Sequence, residues 1–311
     1  MPSSRPPPLV ICLGSVVVDH RFTVNDIPQP PAKETARSYG VGVGGLSANA
    51  AIAVARLGGR AVFWGRVGDD TNADIIADEL TAEGVDIAGL RRCPGARTPV
   101  SAVLVDRVGE RVTLSFRGEG LETDPGWLPL ERLEQAAALL CDPRWPQASA
   151  LALRAARARG LPSVLDAERS ETRLLHELVP LVGHAIFSVT GLQNFAPGPS
   201  QAEALRRALA AGVTELAAVT RGEKGVLWLR PGEKKPHDMP AFRVEARNTT
   251  GAGDVFHGAY ALAIAEGQGI EAALRFASAA GALRAQEGAT PRRAEVEAML
   301  AGAQGGRQAT H

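Results

Sequence analysis

The chain has 311 residues, 45% hydrophobic and 22% charged, and its 34 basic and 34 acidic side chains give a formal net charge of +0. That length suits one large α/β domain or two ordinary ones, and the neutral balance removes the electrostatic case for a nucleic-acid or membrane-surface partner. Cys12, Cys93 and Cys141 are too few and too scattered for a disulfide framework or a zinc site, no apolar run reaches bilayer length, and residues 1–8 lack the apolar stretch of a signal peptide, so a reducing, cytoplasmic setting is expected.

Residues 9–13 (LVICL) read as a buried parallel strand, continued by 16–19 after Gly14-Ser15. Residues 35–43 alternate like a small exposed strand. A helix follows over 47–57, with Ala48, Ala51, Ile52 and Ala55 on one face and Gly58-Gly59 as its stop. A strand at 61–65 and a helix at 70–83 complete a βαβα rhythm, which predicts a doubly wound α/β sheet. Residues 98–106 and 111–116 form a hairpin that interrupts this rhythm. With 35–43 they are expected to make a small separate sheet, a lid over the main domain.

The rhythm resumes with strands at 138–141, 163–166, 185–188 and 216–220, and helices at 148–159, 174–182 and 201–211. Residues 226–229 begin an antiparallel edge, and helices over 253–266 and 270–286 close the chain. No internal repeat or long linker breaks this pattern. It predicts one domain over 9–302, its lid drawn from about 20–43 and 98–118, with 1–8 and 303–311 as disordered tails.

The most informative stretch is Asn248-Thr249-Thr250-Gly251-Ala252-Gly253-Asp254, three small residues directly before an acid at the start of a helix. Small residues there let backbone N–H groups converge on an anion, and the helix dipole favours negative charge at the same place. A carboxylate beside such a cradle can take a proton from a hydroxyl while a phosphoryl group moves to its oxygen. The plain alternative is a Gly-rich turn into a helix. Gly40, Gly42, Gly44 and Gly45, followed by Asn49, form a second cluster that lets backbone approach a ligand, with Asn49 offering both donor and acceptor. Asp19, at a strand end, can accept from two sugar hydroxyls. The glycines of Thr220-Arg221-Gly222-Glu223-Lys224-Gly225 suit a nucleotide lying across strand ends.

Gly44-Gly45 with Asn49 and Gly58, then Gly65-Arg66-Val67-Gly68-Asp69-Asp70, resembles the N-terminal signature of the PfkB/ribokinase family of sugar kinases, and residues 249–254 resemble its C-terminal signature. The resemblance implies a ribokinase-like α/β fold with a β lid and phosphorylation of a small alcohol by ATP and Mg²⁺. It implies Asp254 as catalytic base, the amides of Gly251, Ala252 and Gly253 as anion hole, and Asp19, Gly44, Gly45, Asn49 and Asp166 at the sugar. It further implies Thr220, Gly222, Gly225, Thr250, His257, Ala277, Ala280 and Gly281 at the nucleotide, and a homodimer formed through the lid. Two departures stand out. Asn248 replaces an Asp that lies near a monovalent-cation site in several members, so the resemblance leaves K⁺ activation open. Ser188-Val189-Thr190-Gly191 replaces a frequent Asn-x-x-Glu, so no metal ligand carries over.

Within the family the resemblance runs to ketohexokinase-like and sulfofructose-kinase-like members, notably at Asp142-Pro143-Arg144-Trp145. It places Arg144 and Lys33 at a sulfonate, with Ser115 where an Asn serves and Arg117 nearby. Three readings follow. The first is a kinase of a ketose, with or without an anionic tail. The second is a catalytically silent sugar-binding regulator, which has no need of Asp254. The third is a nucleoside kinase, which needs lid aromatics to stack on a base and finds mainly Tyr39 and Phe116.

Overall fold

The computed structural model describes residues 6–28, 33–107 and 110–308, with side chains to residue 303. The chain runs β1 (Leu9–Leu13), β2 (Val17–Thr23), β3 (Ser38–Gly44), α1 (Leu46–Arg56), β4 (Arg60–Val67), α2 (Thr71–Ala82), β5 (Asp86–Arg92), β6 (Val100–Val105), β7 (Arg111–Phe116) and β8 (Ala138–Cys141). It continues through α3 (Pro146–Ala158), β9 (Ser163–Ala167), α4 (Thr172–Leu178), β10 (His184–Ser188), α5 (Val189–Phe195), α6 (Gln201–Ala211), β11 (Leu216–Thr220), β12 (Val226–Leu229) and β13 (His237–Met239). Three helices end it: α7 (Ala252–Ala265), α8 (Ile270–Glu287) and α9 (Arg293–Gln308).

Nine strands form the main sheet in the order β13-β12-β11-β10-β9-β8-β1-β4-β5, parallel from β11 to β5 and antiparallel at the β12–β13 edge. Period-two alternation splits β1 between two cores. Val10 and Cys12 pack under α1, α7 and α8, whereas Leu9, Ile11 and Leu13 pack under α3 to α6. Burial pushes the Cys12 and Cys141 thiols up, and Cys12, Cys93 and Cys141 are all free and buried. Strand β1 lies between β4 and β8, where the direction of sheet growth reverses. Such a switch point opens a crevice at the carboxyl ends of the strands.

Residues 16–19 do not continue β1. At Gly14-Ser15 the chain leaves the main sheet, and β2 joins a separate four-stranded sheet in the order β3-β2-β6-β7. Its roots are tied down. Asp142, fully buried just after β8, accepts through Oδ2 from Ser15 N (2.7 Å), Ser15 Oγ (2.9 Å), Ser47 N (3.2 Å) and Ser47 Oγ (2.7 Å). It thereby joins the entry to β2 with the exit from β3. Asp70 caps α2 at Ala73 N and holds Thr98, at the root of β6, through its hydroxyl (2.6 Å) and amide (2.8 Å). The segment 303–311, expected as a tail, is helical as far as Gln308, where α9 ends.

Candidate active site

Three elements meet at the crevice: the start of α7, the inner face of the small sheet, and the β11–β12 turn with α8. Gly251 caps α7 at φ 75, a left-handed conformation that costs an L side chain energy. The turn aims the first-turn amides of α7 outward, where the helix offers them no partner. The Ala252 amide is taken by the Thr249 carbonyl at 3.2 Å, so Gly253 and Asp254 supply the free first-turn N–H groups.

Asp254 stands in this first turn, half-buried, and its Oδ2 accepts from Asn49 Nδ2 of α1 at 2.6 Å. Burial on its protein sides and the neighbouring Asp166 carboxylate push its pKa up to about 7, against the pull of Asn49 and His257. A carboxylate poised there suits proton abstraction near neutrality.

The small sheet turns one polar and one apolar face. Register puts Asp19, Ser101 and Ser115 in one row and Arg21 and Thr113 in another, with Arg111 at the far end of β7. This is the inner face. Asp19 is 8% exposed and receives an ion pair from Arg21 at 3.5 Å. Burial raises its pKa, opposed by Arg21 and Ser101. On β3 the inner positions Gly40, Gly42 and Gly44 carry no side chain. A Cβ on Gly44 would stand 2.5 Å from Asp19 Oδ2, so glycine there makes room for the carboxylate. Gly45 caps the next helix, α1. Arg111 reaches across the crevice and donates to Thr250 Oγ1 (2.6 Å) and Thr249 Oγ1 (3.3 Å). Tyr39 and Phe116 lie on the outer face, away from the site.

Beyond the cradle opens a cavity of about 800 Å³ lined by Thr220, Gly222 and Gly225 of the turn, Phe242, and Gly253 and Phe256 of α7. From α8 come Ser278, Gly281, Ala282 and Ala285. Ser278 Oγ is buried with no hydrogen-bond partner, an open polar group in an otherwise mostly apolar wall. An apolar slot with few polar groups, ending at a helix N-terminus, fits a purine nucleotide and its phosphates. Ala277 and Ala280, expected here, are fully buried and absent from the wall, because helical period turns them a step away from Ser278 and Gly281, toward the core.

Two further expectations are corrected by burial. His257 lies on the buried underside of α7, not in the nucleotide cavity, its Nδ1 2.7 Å from the Gly253 carbonyl and its Nε2 3.3 Å from that of Ile186. Burial lowers its pKa against those two acceptors. Asp166, expected at the sugar, is 3% exposed and lies under the site, its Oδ2 3.4 Å from His257 Nδ1. Burial and the carboxylates of Glu168 and Asp142 push its pKa well up, opposed by Arg144. The pair props the first turn of α7 from below.

Arg144 is exposed, its amide fastened to Asp142 Oδ1 at 2.8 Å. The guanidinium of Arg66 covers the Trp145 ring at 4.7 Å. Lys33 and Arg117 are exposed, and Ser115 is exposed on the inner row with Asp19. Among the described residues no group of three or more His, Cys, Asp or Glu side chains could hold a metal ion. Sequence reasoning missed Asp142, Arg21, Arg111 and Arg284. For Arg284 a signal existed: it breaks the small apolar stripe Ala273, Ala277, Ala280 at the next helical step.

The model of the pfkB family carbohydrate kinases matches residues 7–295. The chain belongs to that family. It is an ATP-dependent carbohydrate kinase. It is 30% identical over 300 residues to the ribokinase of Bacillus subtilis (strain 168), covering 93% of this chain and 99% of that one. It is 28% identical over 315 residues to fructokinase-1 of Oryza sativa subsp. japonica, covering 91% and 94%. The structure of the Arabidopsis thaliana ribokinase complexed with ribose and ATP superposes with a TM-score of 0.81 at 26% identity, covering 95% of this chain and 99% of that one. No helix among the described residues is long and apolar enough to cross a membrane.

Proposed function

We propose that this kinase phosphorylates a hydroxyl of a small ketose of the fructose kind, held between Asp19, Asn49 and the glycine-lined face of β3. The observation that carries the reading is the Asn49–Asp254 contact at 2.6 Å. It sets a base with a pKa of about 7 between the polar face of the small sheet and the nucleotide-sized cavity. Asp254 takes the proton of the attacking hydroxyl. The free first-turn amides of α7 hold oxygens of the phosphoryl group, whose loose transition state needs positioning and charge more than covalent help. Similarity to a fructokinase supports the ketose, and similarity to a ribokinase seen with ribose and ATP supports a small sugar with ATP.

Mg²⁺ suits this site through one or two carboxylates, water and the nucleotide's own phosphates. Glu168, which accepts from Ser188 Oγ at 3.1 Å, would be the carboxylate for it. When bound, the ion neutralises phosphate charge. The nucleoside reading loses support, since Tyr39 and Phe116 turn outward. The silent-regulator reading leaves the raised Asp254 without a purpose.

An anionic tail on the ketose is read by Arg144, whose charge acts on Asp166 under the site. The test measures kcat/KM for ribose, fructose, fructose 6-phosphate and 6-deoxy-6-sulfofructose, in wild type and Arg144→Ala. A loss of about 2–4 kcal/mol confined to the anionic ketoses supports the reading, because a charge-assisted pair disappears. Equal losses on neutral and anionic sugars assign Arg144 to structure, and preference for ribose removes the ketose.

The outer face of the small sheet exposes Tyr39 and Val41 on β3 and Val112, Leu114 and Phe116 on β7, the two edge strands, with half-buried Phe22, Ala102 and Leu104 between them. A contiguous apolar face of this kind suits a second copy of the chain, which supports a homodimer formed through the lid.

A further inference from the structure

Arg284, near the end of α8, is 7% exposed, yet its Nη1 has no hydrogen-bond partner. Its guanidinium lies directly behind the turn that starts α7. A Cβ built on Gly251 would stand 3.5 Å from Nη2 and 3.6 Å from Nε, and one on Gly288 would stand 4.0 Å from Nη1 and 3.8 Å from Asn248 Nδ2. The group is thus wedged between residues 248–251 and the end of α8. Two backbone bonds fasten the same seam, from the Arg247 and Asn248 amides to the Ala285 carbonyl, each at 2.9 Å.

A buried guanidinium stays charged and is normally matched by a carboxylate. Here burial lowers its pKa, Arg21 and Arg56 repel it, and Asp254 is the carboxylate whose charge favours it. The α7 N-terminus carries partial positive charge as well. Positive charge therefore accumulates on both sides of one turn, with little but Asp254 to offset it. Such an arrangement costs stability in the empty protein and is relieved when negative charge arrives in front of the turn.

We propose that Arg284 is a fixed cation behind the anion cradle, which strengthens the hold of the α7 amides on the phosphoryl group in transfer and so supplies from the chain itself the positive charge this turn needs. It is a positioning residue that acts through the Gly251 turn without touching the sugar. The inference rests on the reading of the α7 start as a phosphate cradle.

The test compares wild type with Arg284→Lys, which keeps the charge, and Arg284→Met, which keeps bulk without it. Calorimetry follows adenosine, ADP and ATP. Arg284→Met should lose on the order of tenfold in ATP and ADP affinity, as one lost charge at short range implies, and leave adenosine affinity unchanged. Arg284→Lys should recover most of the loss. The alkaline-rising limb of kcat/KM should move to higher pH in Arg284→Met, with Asp166, Asp142, His257 and Asn49 unaltered around Asp254. Should Arg284→Met fail to fold, the wild type carries the test: its kcat should stay within about twofold in sodium, potassium or tetramethylammonium chloride, because exposed ions add little to a charge already buried in place.

An unchanged ATP-to-adenosine ratio with an unmoved pH limb in folded Arg284→Met overturns the proposal. So does a strong requirement of the wild type for one monovalent cation. Failure of the ketose reading is distinguishable, since it leaves the ketoses unphosphorylated while the nucleotide affinities still report on Arg284.

Discussion

Asp254 carries a stability cost along with its chemistry. Its folded pKa of about 7 lies above the ordinary carboxylate value, so the folded state binds a proton the unfolded state has released. That mismatch lowers stability as pH rises from about 4 to 7, and above 7 the penalty is complete. Asp254→Asn removes the titration and can still accept from Asn49. It should therefore lower kcat on the order of 10²–10⁴-fold. It should also raise the melting temperature at pH 8 and lose that advantage as pH falls toward 4. Calorimetric scans at both pH values check the second half, and a variant less stable than wild type at pH 8 contradicts it. For wild type, kcat/KM should rise with pH along a limb centred near 7. Asn49→Ala withdraws a donor that favours the charged form and should move that limb upward, read from pH–rate profiles of both proteins.

At the scale of elements, the roots of the small sheet matter more than its strands. Asp70 joins the cap of α2 to Thr98, so Asp70→Ala loses a helix cap and two bonds to a charged acceptor. A cost of about 2–3 kcal/mol is expected in chemical denaturation. Local exchange should speed up at the base of β6 more than in the main sheet. If the sheet is a lid, adding sugar should slow hydrogen exchange in β2, β3, β6 and β7. Unchanged exchange there, with slowing elsewhere, would leave it a static wall. The sequence revealed the main strands because apolar runs buried on both faces have no other use. It hid the departure of β2, because Val16, Val17 and Val18 look like more of β1 when only composition is considered. It also hid β5, whose Asp86, Arg91 and Arg92 make a polar edge, and α9, whose segment 303–308 reads as polar tail. Within the site, Asp254, Asn49 and Gly251 were legible because local motifs hold them. Arg111, Arg284 and Asp142 act across long stretches of chain, and no spacing announces such contacts.

For the whole molecule, the apolar outer face sets an expectation about assembly. Leu114, 67% exposed, lies on that face on the edge strand β7. Leu114→Glu should convert a dimer to a monomer in analytical ultracentrifugation while leaving the folded protomer intact, because a charge facing an apolar partner is costly and one facing water is not. A wild type that sediments as a monomer at micromolar concentration would contradict the pairing. The small sheet has one more consequence, for the order in which the chain assembles. Strands β2 and β6 pair in parallel, joining residues 18–23 to 100–105, and everything between them belongs partly to the main sheet. Contacts this far apart form only after the intervening loop has been closed by other structure. During synthesis the β2–β3 hairpin therefore waits, with β2 an open edge, while β1, α1, β4, α2 and β5 are laid down. The glycines that clear the inner side of β3 also leave the hairpin with few side chains to hold it. Refolding should thus show the main sheet protected first and the small sheet last, and any slow step that exposes the β2 edge is where this protein is most open to mispairing with another copy of itself.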